Sequence, residues 1–166
     1  MALTVLIVED EQSASRLLSG IAAEVGLSAR ATGSGREAQE LCAQAADSGQ
    51  PFSAVVLDLV LSELDGFQFA AAARAAAWGA KLPIIVVSGV YKKLPEEFAA
   101  RIQPAAFFAK PFEPAALRAA LAKLSGTQSA SPPLEGKLSA RPARRFASSS
   151  ASVRPPRRST SLRSSA

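Results

Sequence analysis

Residues 54–66 read Ala54-Val55-Val56-Leu57-Asp58-Leu59-Val60-Leu61-Ser62-Glu63-Leu64-Asp65-Gly66. Four apolar residues follow one another without a polar break and stop at an aspartate. A run this short and this continuous predicts a strand buried on both faces, the habit of parallel sheets. Two further runs have the same form. Leu3-Thr4-Val5-Leu6-Ile7-Val8 stops at Glu9, Asp10 and Glu11, and Pro83-Ile84-Ile85-Val86-Val87 stops at Ser88 and Gly89. Weaker strands are predicted near 27–31 and 105–109.

Helical patterns alternate with these strands. In 12–25, Ala14, Leu17, Leu18, Ile21 and Val25 recur at helical spacing, and Gly26 follows as a stop. In 34–47, Ser34 can cap a helix whose apolar side is Ala38, Leu41, Cys42 and Ala45. A third, alanine-rich helix is predicted over 66–78, entered through an Asp65-Gly66 turn. A fourth begins near Pro95, a residue suited to a first helical position. A fifth begins at Pro114 and carries Leu117, Leu121 and Leu124 on one stripe. The order βαβαβαβαβα, with right-handed crossovers, predicts an α/β fold: a doubly wound five-stranded parallel sheet with helices on both faces. Half of a Rossmann fold would need a glycine fingerprint after the first strand. Three consecutive acids stand there and would repel a pyrophosphate, so the flavodoxin-like strand order 2-1-3-4-5 is preferred.

Composition divides the chain. Residues 1–125 carry 11 basic and 13 acidic side chains, a net of −2, whereas 126–166 carry 8 basic residues and one acid, Glu135, a net of +7. The second stretch holds 11 serines, 2 threonines, 5 prolines and a single aromatic, Phe146. It has too little apolar surface to offset its ordering entropy, so 126–166 is read as a disordered Ser/Pro/Arg-rich basic tail beside a folded domain at 1–125. The tail suits a linker or a plain end, and its charge also admits weak contact with nucleic acid. The N-terminal apolar run ends in acids after a few residues, unlike a secretory signal, and no stretch approaches the length of a membrane span. A cytoplasmic protein without membrane insertion is expected. One cysteine, Cys42, leaves no intramolecular disulfide and reads as a buried structural thiol.

The chain contains no histidine. That removes Ser-His-Asp and Cys-His nucleophile systems and most zinc sites. What remains is carboxylate, lysine and hydroxyl chemistry around a hard metal ion. In an open parallel sheet, functional groups gather at the carboxyl ends of the strands. The first strand delivers Glu9 and Asp10, the third Asp58, the fourth Ser88 and the fifth Lys110. Two carboxylates about 4 Å apart repel by about 4 kcal/mol at an effective dielectric near 20. Mg2+ and the Lys110 ammonium would offset that repulsion. A phosphoryl group arriving here would meet a metal, an ammonium, a serine hydroxyl and a carboxylate nucleophile.

Four segments taken together resemble a response-regulator receiver domain, over roughly residues 3–124. They are Glu9-Asp10 after Val5-Leu6-Ile7-Val8, Leu57-Asp58 through Gly66, Val86-Val87-Ser88-Gly89, and Phe107-Phe108-Ala109-Lys110-Pro111-Phe112. The resemblance implies that Asp58 is the phosphoacceptor, served by a histidine kinase or phosphotransfer protein. It implies that Asp10, Asp58 and the backbone carbonyl of Val60 bind magnesium directly, with Glu9 acting through water. Lys110 would pair with the phosphoryl oxygens across a cis bond to Pro111. Ser88 and Phe107 would act as the switch, reshaping the face of the fourth helix, fifth strand and fifth helix for a downstream protein or, on phosphorylation, a homodimer. Such a chain catalyses only its own phosphorylation and dephosphorylation, and apolar Val60 and Val90 imply that the latter is slow. Ser62 stands where the family often has proline, which implies a looser loop. A pseudo-receiver that only binds, and a hydrolase using Asp58, are the competing readings. The second of these normally needs another acid at the leaving group and a cap, and neither is found.

Overall fold

The computed structural model describes residues 2–62 and 64–126. Those residues form five strands and five helices in strict alternation. They are β1 (Thr4–Val8), α1 (Gln12–Glu24), β2 (Ser28–Thr32), α2 (Gly35–Asp47), β3 (Ala54–Asp58), α3 (Gly66–Ala75), β4 (Ile84–Ser88), α4 (Glu96–Ile102), β5 (Ala106–Ala109) and α5 (Pro114–Gly126). The sheet is parallel throughout, in the order β2-β1-β3-β4-β5. From residue 127 on, the segment expected to be a disordered tail lies outside the described residues. Among those described, no helix is long and apolar enough to cross a membrane.

The continuous apolar runs are buried on both faces, and successive residues divide between two cores. On one face Leu6, Val8, Val55, Leu57, Ile84 and Val86 meet Ala38, Leu41 and Cys42 of α2, Phe69, Ala70 and Ala73 of α3 and Ile102 of α4. On the other, Val5, Ile7, Ala54, Val56, Ile85 and Val87 meet Leu18, Ile21 and Ala22 of α1 and Leu117 and Leu121 of α5. Each fully buried Leu, Ile or Val contributes about 1.5–3 kcal/mol relative to an exposed one, so this alternation is what fixes the register. The edge strand β2 is different: Ser28 through Ala31 are exposed and only Thr32 is buried.

Three details differ from expectation. Leu17 is 50% exposed, because the α1 stripe runs through Leu18, Ile21 and Ala22 and Leu17 falls beside it. The third helix ends at Ala75 rather than 78. Ala76 is extended there, and the Arg74 guanidinium donates to the carbonyls of Gly79 (2.7 Å), Leu82 (2.7 Å) and Ile102 (2.6 Å), pinning the following turn and the end of α4. Pro95 is the N-cap of α4 rather than its first helical residue. Trp78 packs near Phe69, with ring centroids 6.4 Å apart.

Candidate functional site

The register carries the strand ends to one edge of the sheet. Glu9 and Asp10 leave β1, Asp58 is the last residue of β3 and pairs with Val87 of β4, and Ser88 pairs with Ala109, one residue before Lys110. Glu9, Asp58 and Ser88 are buried and Asp10 is exposed.

Lys110 Nζ donates to Glu9 Oε2 at 2.6 Å and to Asp58 Oδ2 at 2.8 Å. Asp58 Oδ1 accepts from the Val60 N–H at 2.9 Å, and Glu9 Oε1 from the Glu11 N–H at 3.1 Å. Both carboxylates are therefore held in place by protein donors. Burial pushes the Glu9 carboxyl above its ordinary range, and the bonds from Lys110 and the Glu11 N–H only partly offset it. Burial also works against the Lys110 ammonium, but there it is outweighed by the bonds to Asp58 and Glu9, so the ammonium is held above its ordinary range. The Lys110–Pro111 bond is cis, as the resemblance implies.

The Ser88 side chain bonds to its own loop. Its hydroxyl accepts from the N–H groups of Val90 (3.2 Å) and Tyr91 (3.1 Å), which ties down the start of the β4–α4 loop. Tyr91 packs edge-on against Phe67 of α3 at 5.5 Å, and Phe67 in turn against Phe98 of α4 at 4.3 Å. Phe107 is partly buried against the same core. Val60 and Val90 are 51% and 66% exposed.

Two residues take a part that sequence reasoning did not give them. Ser62, expected to loosen the loop after Asp58, ties it instead, since its hydroxyl donates to Asp10 Oδ2 at 2.5 Å. Gly66 does more than form the turn expected at Asp65-Gly66. A Cβ there would lie 2.3 Å from the Asp58 carbonyl oxygen and 2.6 Å from Leu59 Cα, so glycine is required for α3 to start against the end of β3. The Gly66 N–H donates to the Leu59 carbonyl at 3.1 Å, and Asp65 caps the helix through the Phe67 N–H at 3.0 Å.

The donor set is all hard oxygen: the carboxylates of Glu9, Asp10 and Asp58 stand at this edge with the single ammonium of Lys110, a surplus of negative charge suited to a small divalent cation. Among the described residues no three acidic side chains are gathered around one point, since Lys110 holds Glu9 and Asp58 while Ser62 holds Asp10. The residues fit magnesium in kind, and Asp10 is the carboxylate among them that is exposed to solvent.

Comparison with known proteins gives a consistent picture. The family model for the response regulator receiver domain matches residues 5–122. Among solved structures, a CheY-like response regulator receiver domain from Methylobacillus flagellatus is 26% identical, with a TM-score of 0.62 over 75% of this chain and 99% of that one. The receiver domain of the sensor histidine kinase PA1611 from Pseudomonas aeruginosa PAO1, with magnesium coordinated in its active-site cleft, is 23% identical, with a TM-score of 0.65 over 76% of this chain and 99% of that one. A sensor protein from Polaromonas sp. JS666 is 24% identical, with a TM-score of 0.64 over 75% and 97%. No curated protein matches the chain.

Proposed function

The chain belongs to the response regulator receiver domain family, and on that premise we propose that it takes a phosphoryl group onto Asp58 from a histidine kinase or phosphotransfer protein and passes the event on as a change of shape. The observation that carries this reading is the double engagement of Lys110 with Glu9 and Asp58 at the carboxyl edge of the sheet. These 166 residues contain no histidine, so the phosphohistidine donor lies outside them. In the transfer an Asp58 carboxylate oxygen forms the new bond to phosphorus while the bond from phosphorus to the donor nitrogen breaks. The product is an acyl phosphate, and the imidazole leaves with the electron pair. Lys110 is placed to shift from carboxylate to phosphoryl oxygens as charge arrives.

Asp10 and Asp58, with the Val60 carbonyl, would hold magnesium directly, and Glu9 would hold it through water. The ion would supply neutralisation of phosphoryl charge. That PA1611's receiver domain carries magnesium in its cleft supports the assignment.

The switch rests on Ser88. Turning its hydroxyl toward a phosphoryl oxygen releases the Val90 and Tyr91 N–H groups that it now holds. Tyr91 then shifts against Phe67, and Phe67 against Phe98 of α4. Phe107 lies in the same apolar layer, so the disturbance reaches the α4–β5–α5 face, where a downstream protein or a second copy docks. Moving such a switch from 1:99 to 99:1 requires about 5.5 kcal/mol, within reach of one new dianion with several charge-assisted hydrogen bonds.

Incubation with acetyl phosphate and magnesium tests the reading, with Asp58→Asn as control. Label on the parent and none on the variant is expected. A parent that takes no label under these conditions would instead be a binding module of the same fold. Label retained by the Asp58→Asn variant would place the acceptor elsewhere.

A further inference from the structure

Ser62 lies four residues beyond Asp58 in the β3–α3 loop and meets Asp10 of the β1–α1 loop across 52 positions of sequence. Both side chains are exposed, so water competes for each, yet the hydroxyl is directed to Asp10 Oδ2 at 2.5 Å.

The bond does two things. It restrains a carboxylate that is otherwise free to rotate into solvent, unlike Glu9 and Asp58, which backbone N–H groups and Lys110 already hold. It also joins the loop carrying Asp10 to the loop carrying Val60. A small octahedral ion commonly takes one oxygen from a carboxylate, so a hydroxyl on Oδ2 and a cation on Oδ1 are compatible. Ligating carboxylates are generally held by such outer hydrogen bonds, and loss of one typically lowers metal affinity about 10–100-fold. We propose that Ser62 is a positioning residue for the divalent cation, orienting Asp10 through Oδ2 and tying together two of the loops that supply ligands. The proposal rests on the reading of Asp10 as a metal ligand.

Calorimetric titration of magnesium chloride into the full chain, Ser62→Ala and Ser62→Thr tests it, alongside thermal melts in EDTA and in saturating magnesium. Because the contact is exposed, the lower end of that range applies. Ser62→Ala should bind magnesium about tenfold more weakly, while Ser62→Thr, which keeps the hydroxyl, stays close to the parent. In EDTA the alanine variant should melt with the parent, so that the deficit shows only once magnesium is added. Equal or tighter binding by Ser62→Ala overturns the proposal, as does a threonine variant as weak as alanine. A melting loss in EDTA as large as the loss with metal would reduce Ser62 to a structural tether. A parent that binds no magnesium defeats the metal reading itself, an outcome distinct from all of these.

Discussion

Lys110 Nζ serves two carboxylates, Glu9 and Asp58, whose side chains are 1% and 8% exposed, while its own is 24% exposed. Removing it would leave two buried acids facing each other with no intervening charge. Lys110→Met is therefore expected to lower stability at pH 7 by roughly 1–3 kcal/mol, the cost of leaving a buried polar group unsatisfied. Added magnesium should recover part of the loss by ligand linkage. Paired denaturant titrations in EDTA and in magnesium measure both effects, and unchanged stability in EDTA would mean that water, rather than Lys110, balances the carboxylates. The direction of the Glu9 shift adds a pH signature. A folded-state carboxyl held above its ordinary range binds protons more readily in the folded chain than in the unfolded one. Its contribution is full below the ordinary value of 4.5 and fades as pH rises through the folded value. The difference in stability between the parent and Lys110→Met should therefore shrink as pH is lowered toward that window. Val60 and Val90 raise a separate matter. Both isopropyl groups are exposed, and neither can orient an attacking water. Val60→Asn is expected to shorten the acyl-phosphate lifetime by about tenfold or more, as a positioned polar group assists proton transfer. Following label loss after the donor is removed measures it.

The three central strands were legible because burial on both faces leaves an unmistakable mark: Val5 to Val8, Ala54 to Leu57 and Ile84 to Val87 have almost no exposed surface. β2 was faint because Ser28, Ala29, Arg30 and Ala31 lie open at the sheet edge, where burial writes no pattern. The end of α3 was misplaced because an alanine run carries no stop, and the stop is the Arg74 guanidinium reaching carbonyls as far away as Ile102. Glu9, Asp10, Asp58, Ser88 and Lys110 could be read as a group because each closes or follows a strand. Ser62 and Gly66 could not, since their parts depend on distances between loops. Gly66 yields a sharp expectation for α3. A methyl 2.3 Å from the Asp58 carbonyl cannot be accommodated without moving backbone, so Gly66→Ala should cost roughly 1–3 kcal/mol, as overpacking generally does. It should also slow labelling of Asp58, because the helix start and the strand that carries Asp58 share that contact. A variant that melts and labels like the parent would show that α3 can shift independently. α2 offers a contrasting case: burial pushes the Cys42 thiol up to about 12. At pH 8 only about one thiol in ten thousand is then ionised, so native chain should resist iodoacetamide while unfolded chain reacts readily.

Across the chain as a whole, charge is unevenly divided. Residues 1–125, with 11 basic and 13 acidic side chains, are slightly acidic, and the +5 of the full sequence comes from the 8 basic residues and single acid of 126–166. Both faces of the sheet are covered by helices that precede residue 127, and among the described residues no buried side-chain nitrogen or oxygen lacks a partner. On that ground we propose 1–125 as an autonomous receiver domain and 126–166 as an appended basic segment. Ending the chain after Gly126 should leave the melting midpoint and the labelling of Asp58 unchanged. Affinity for polyanions should change completely. Counterion release from eight basic residues gives a log affinity that falls with log salt by a slope of up to about 7 if every one meets a phosphate. The full chain should therefore be retained on a nucleic-acid matrix at low salt and released steeply as salt rises, while the truncated chain, with a net charge near −2, passes through. Because that attraction reads charge and not sequence, unrelated DNA duplexes should compete equally. A full chain that passes through as the truncated one does would leave the segment as a linker. A truncated chain that melts lower would show that residues beyond Gly126 contribute to the folded domain.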